Sequence, residues 1–101
     1  MNTLVIDTSS NKKIVVELEI DGKRFVKKQK IGANRAQVVL PLFVALLKKH
    51  RLSFQDINNI EVATGPGSFT GLRVGIAVAN TLSFALRIPV NGQHKIVEPQ
   101  Y

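Results

Sequence analysis

Polar and apolar positions alternate over Lys13 to Ile20, with Ile14, Val16, Leu18 and Ile20 sharing one side. A period of two predicts a half-buried strand, and the short apolar run Thr3 to Asp7 reads as its antiparallel neighbour. Asp21-Gly22 supplies the positive φ angles of a two-residue hairpin, which returns Lys23 to Ile31 as a third strand. Gly32-Ala33-Asn34 breaks the extended pattern, and Asn34 is placed to cap a helix over Arg35 to His50. Lys48, Lys49 and His50 gather where the helix dipole favours positive charge. Pro41 removes a hydrogen bond inside this stretch and predicts either a bend or a regular helix that begins near the proline. Asp56 to Asn59 reads as a connector, Ile60 to Thr64 as a strand, Leu72 to Leu86 as a second helix and Ile88 to Gly92 as a fifth strand. The predicted order is βββαβαβ: an α/β fold with a mixed five-stranded sheet, two main helices and helical crossovers between the last strands.

Apolar residues surround the first helix, with Val38, Val39, Leu40, Leu42, Phe43, Val44, Leu46 and Leu47 pointing in nearly every direction. The second carries Leu72, Val74, Ile76, Val78, Leu82, Phe84 and Leu86, and Gly71, Gly75 and Ala79 recur every four residues as a stripe that lets another helix approach. Covering one sheet face needs only one apolar stripe, so a helix apolar all round needs a second buried side. In 101 residues little remains to cover it. The expectation is an intermolecular helix interface built from Val39, Leu42, Phe43, Leu46, Gly71, Leu72, Gly75, Ala79 and Leu82. The alternative is that the helices wrap around each other and the sheet, leaving scattered exposure.

Between the fourth strand and the second helix lies GPGSFTGLRVG, Gly65 to Gly75, which combines strand exit, glycine turn and helix entry. Ser68 or Thr70 can cap the helix. A helix N-terminus at the end of a sheet can hold an anion, which makes Asp7, Thr8, Ser9, Gly67 and Ser68 candidate phosphate contacts beside the reading as a purely structural turn. A dinucleotide fingerprint is excluded, because Thr70 stands where glycine is needed and no acid follows about twenty residues on. A Walker A loop is excluded because Leu72, not lysine, follows Gly71.

The formal charge is +7, and five of the basic residues, Lys23, Arg24, Lys27, Lys28 and Lys30, lie on the third strand. They are candidate nucleic-acid contacts by phosphate attraction, although Phe25 is the one aromatic residue among them; a solvated strand face is the alternative. The chain has no cysteine, and His50 and His94 have no second ligand at helical spacing, so no metal or cofactor is expected. Two-metal nuclease chemistry needs converging acids, whereas Gln37 and Thr64, at the companion positions to Asp7, are neutral. No catalytic residue is assigned. Neither a signal peptide nor about 18 uninterrupted apolar residues is evident, so a cytoplasmic, single-domain protein without membrane contact is expected.

LVIDTSS (Leu4 to Ser10), GPGSFTGLRVG and ANTLSFALRIPV (Ala79 to Val90) together resemble the TsaB family, also called YeaZ, over Met1 to about Gly92. The resemblance implies a ribonuclease-H-like lobe of the actin-like ATPase superfamily over residues 1–92, followed by a tail over 93–101, and Glu98 to Tyr101 reads from the sequence as a loose end. It further implies a non-catalytic partner of TsaD, acting with TsaE to install threonylcarbamoyl on the adenosine beside the anticodon of tRNAs. The family uses its two helices to pack on TsaD or on a second copy, so a homodimer is a further expectation, with tRNA met indirectly or through the basic hairpin. Four departures stand out. A second lobe is missing, Arg35-Ala36-Gln37 replaces the usual HSE, Thr64 precedes the glycine run, and Asn91 to Lys95 does not follow the family pattern.

Overall fold

The computed structural model describes residues 1–30 and 35–100. Strands β1 (Asn2–Asp7), β2 (Lys13–Ile20) and β3 (Lys23–Lys30) precede helix α1 (Arg35–Lys49), strand β4 (Asn59–Val62) and helix α2 (Phe69–Leu86). The sheet order is β3-β2-β1-β4, with β1 antiparallel to β2 and parallel to β4. Asp21 (φ 48°) and Gly22 (φ 87°) form the expected tight hairpin. The predicted cap Asn34 lies outside the described residues. Helix α1 runs unbroken through Pro41, whose missing N–H falls on an exposed flank.

One face of the sheet carries the core. Leu4 and Ile6 of β1 stand opposite Leu18 and Val16 of β2 and beside Ile60 and Val62 of β4, and both helices lie on this side. Val39, Phe43, Leu46 and Leu47 from α1 and Leu72, Ile76 and Ala79 from α2 complete it. The opposite face, with Val5, Asp7, Val15, Glu17 and Glu61, has no helix among the described residues. Helix α2 has the length and hydropathy of a membrane span, yet Arg73 and Asn80 interrupt it and Leu72, Ile76 and Ala79 are spent on the sheet.

The predicted fifth strand is not formed. Val90 makes a single parallel bridge to Ile60, and the chain reverses at once through Asn91 (φ 50°) and Gly92 (φ 77°), so that Val90 and Gln93 exchange both backbone hydrogen bonds at 2.9 and 3.0 Å. These are the angles of a type I′ turn, for which Asn-Gly is the preferred pair. The Asn91 side chain then substitutes for strand backbone: its Oδ1 accepts from the Val62 N–H (2.9 Å) and its Nδ2 donates to the Val62 carbonyl (3.0 Å). In the tail, the Gln100 N–H donates to the Thr64 carbonyl at 2.6 Å.

Candidate functional site

The end of β1 and the glycine loop interlock. The buried Thr8 hydroxyl donates to the Gly71 carbonyl (2.5 Å), and the Ser68 N–H donates to the Ser9 carbonyl (2.8 Å). Asp7 Oδ1 accepts from both the backbone N–H (3.0 Å) and hydroxyl (2.5 Å) of Ser9. Ser68 is the helix cap, accepting from the Gly71 N–H, so the sequence choice between Ser68 and Thr70 resolves to Ser68. A Cβ on Gly67 would stand 2.7 Å from the Ser9 Cβ, so glycine here permits a close approach of loop to strand. The candidate phosphate residues Asp7, Thr8, Ser9, Gly67 and Ser68 are thus brought together, with Asp7 and Ser68 bonded to Ser9 and with Thr8 and Ser68 bonded to Gly71. Asp7 also borders a depression of about 530 Å³ on the uncovered sheet face. Glu61 lines the same depression, and two carboxylates repel a phosphate.

The structure separates the residues of the expected interface by burial. Val39, Phe43, Leu46, Gly71, Leu72, Gly75 and Ala79 are all buried within the molecule, and only Leu42 and Leu82 of that set are partly accessible. The small-residue stripe faces the sheet: a Cβ on Gly75 would collide with the Thr8 hydroxyl and come within 3.2 Å of Ile6. What α1 and α2 present outward shares only Leu82 with that list. Leu40, Ala77, Val78, Thr81 and Leu82 line an uncharged groove of about 230 Å³, and Val44 continues it one turn beyond Leu40 on α1. Helical periodicity contained this surface, but it took the packing to show which apolar side each helix gives to its own core.

The basic strand β3 does not form one patch. The pleat puts Lys23 and Lys27, with Phe25, on the helix side, and Arg24, Lys28 and Lys30 on the other. Arg24 is engaged by Glu19 (3.3 Å) and Glu17 (3.8 Å). Phe25 lies against His50, ring centroids 4.0 Å apart, and so is turned inward.

Residues 26–97 match the family model described as TsaD: tRNA N6-adenosine threonylcarbamoyltransferase. The chain is 35% identical over 86 residues to the tRNA threonylcarbamoyladenosine biosynthesis protein TsaB of Buchnera aphidicola subsp. Baizongia pistaciae, covering 85% of itself and 38% of that protein. It is 34% identical to TsaB of Bacillus subtilis (90% of the chain, 40% of the relative) and of Escherichia coli (91% and 39%). The YeaZ structure from Pseudomonas aeruginosa superposes with a TM-score of 0.81 at 33% identity, over 89% of this chain and 43% of that one. The chain belongs to the TsaB (YeaZ) family. It spans about two fifths of the length of the TsaB proteins it matches. Helices α1 and α2 lie inside residues 26–97, as does Gly71, whereas its partner Thr8 precedes them.

Proposed function

We propose that this chain is a non-catalytic subunit in tRNA threonylcarbamoyladenosine biosynthesis that holds TsaD against the outward groove between α1 and α2, in a cytoplasmic complex that also engages TsaE. The observation that carries this reading is the groove itself. Leu40, Val78 and Leu82 form an apolar strip without a charged side chain in its lining, on elements already fixed by a complete core. Such a strip on a small domain fits a helical partner surface. A non-catalytic role fits the end of β1, where the Asp7 carboxylate and the Thr8 hydroxyl are used to shape the turn.

The test is co-purification with the cognate TsaD, followed by measurement of tRNA threonylcarbamoylation with and without the chain. Leu40→Asp and Leu82→Asp are expected to abolish co-elution and the dependence of modification on this subunit. Retention of the complex by both variants would overturn the proposed surface. A homodimer through the same groove, with no binding of TsaD, would overturn the proposed partner.

A further inference from the structure

Beyond the Asn91-Gly92 turn the chain is laid back along α2. Asn80 grips the backbone of Val97 from both sides, its Nδ2 donating to the carbonyl and its Oδ1 accepting from the N–H, each at 3.0 Å. Residues 94–96 are thereby held beside the last turns of the helix. Together they enclose a cleft of about 560 Å³ whose lining includes Ser83, Phe84, Arg87, His94, Lys95 and Ile96. That volume lies in the range of small-ligand sites.

The chemistry of this lining is one-sided. It contains Arg87, Lys95 and a histidine but no acid, and among the described residues none of the three is in an ion pair. Phe84 is 88% exposed and Ile96 76% exposed, so an aromatic ring stands in solvent one helical turn from Arg87. A helix C-terminus by itself disfavours anions, but here the Ser83 carbonyl accepts from the Arg87 and Ile88 N–H groups, and the Ser83 hydroxyl caps the Ile88 carbonyl at 2.5 Å. Uncompensated cations around an exposed ring complement a ligand that joins phosphates to flat apolar rings.

We propose that the cleft between α2 and residues 94–96 binds single-stranded RNA, with backbone phosphate drawn to Arg87 and Lys95 and a base stacked on Phe84. The cleft asks for nucleotide phosphates and bases; the choice of RNA rests on the tRNA-modification reading above. The β3 lysines are the weaker site, because their charges are split between two faces and Phe25 is covered by His50.

Fluorescence anisotropy of the full chain with a short fluorescein-labelled single-stranded RNA tests this, with DNA of the same sequence and AMP as competing probes. Phe84→Ala is expected to weaken RNA binding about tenfold through lost stacking. Its ring is exposed, so circular dichroism should find the fold intact. Lys95→Glu should weaken binding comparably. Arg87→Asn should lower the slope of log affinity against log salt by about 0.7, the contribution of one phosphate contact on a single strand. Asparagine is chosen because position 87 has φ 56°, a conformation it accepts. The double variant Lys27→Glu, Lys28→Glu should stay within about twofold of the parent chain, since both lie off the cleft. Loss of binding in the strand variant but not the cleft variants overturns the proposal, as does absence of RNA binding. Equal affinity for DNA overturns the assignment to RNA, and saturable AMP binding without RNA binding overturns the assignment to a strand. Co-elution with TsaD is read separately, so a negative result here leaves the groove reading standing.

Discussion

The Thr8 hydroxyl donates to the carbonyl of Gly71 in the first turn of α2, and one turn further on Gly75 leaves the space that this hydroxyl occupies. A bond between a strand end and a helix backbone requires the helix to approach more closely than a Cβ allows. Gly75→Ala should therefore destabilise the fold by about 1–3 kcal/mol, as overpacking does, even though alanine is the better helix former by about 1 kcal/mol. Urea denaturation checks the sign. Pairing it with Thr8→Ala should recover part of the loss, and the double-mutant cycle measures the coupling. An alanine variant as stable as the parent chain would remove the close-packing argument.

Asn91 carries two loads, a left-handed backbone and a pair of bonds to Val62. Asn91→Gly keeps the first and loses the second, while Asn91→Ala loses both. The glycine variant should lose about 1–2 kcal/mol and the alanine variant more, by an increment of about 1 kcal/mol for the strained φ. Thermal melts of the two variants separate these contributions. Equal stability of both with the parent chain would mean that the side chain adds nothing to the edge of β4.

Legibility in the sequence followed the range of the forces involved. The hairpin at Asp21-Gly22 and the alternation of β2 were readable because both are local and periodic. The missing fifth strand was foreshadowed by the same chemistry, since Asn91-Gly92 is as strong a turn signal as Asp21-Gly22. Ile88 and Val90 are β-branched and favour extended backbone, which is a strand signal only until the turn reverses the chain. The outward groove of the helix pair was legible only as an excess of apolar residues. Which side of α2 faces inward depends on Thr8, more than sixty residues away from Gly71, a distance over which no period in the sequence carries information. The cleft of Phe84 and Lys95 was invisible for a related reason. Asn80 and Val97 must meet before Lys95 is anywhere near Arg87.

Exposure separates the residues that hold the fold from those that face outward on α1. Leu40 is 41% exposed, whereas Phe43, three residues on, is fully buried. Leu40→Asp should change stability by no more than about 1 kcal/mol, the scale of surface substitutions, while Phe43→Ala should cost about 3–5 kcal/mol. Chemical denaturation gives both values. A large loss at Leu40 would mean that the groove wall belongs to the core and is not a free surface.

Asp21 accepts a hydrogen bond from the Met1 amino group at 2.6 Å, and that bond and the neighbouring positive charge hold its carboxyl below the ordinary 3.8. A carboxylate whose pKa falls on folding stabilises the native state above its unfolded value, and that contribution disappears as the pH drops through the folded value. Asp21→Asn should therefore flatten the acid limb of a melting-temperature profile and leave the neutral limb slightly lower. The effect should be small, because both partners are largely exposed. An unchanged acid limb would show that solvent screens the pair completely.

Strand β3 is an edge of the sheet and offers one row of backbone groups to any second strand. Val26 is exposed on it, flanked on the same face by Arg24 and Lys28, with Lys30 beyond. Charges on an edge oppose pairing between copies, since like charges placed opposite one another in a ladder are destabilising. The lysines on this strand thus have a role in keeping the chain unpaired that needs no ligand. Lys28→Thr with Lys30→Thr keeps β propensity and removes the repulsion, so light scattering should show self-association rising with protein concentration. In the parent chain, high salt should have the same effect to a lesser degree, because screening weakens exposed charges at separations beyond about 3 Å at 1 M. If the double variant stays as dispersed as the parent at every salt concentration, the edge is protected by its twist or its neighbours rather than by charge.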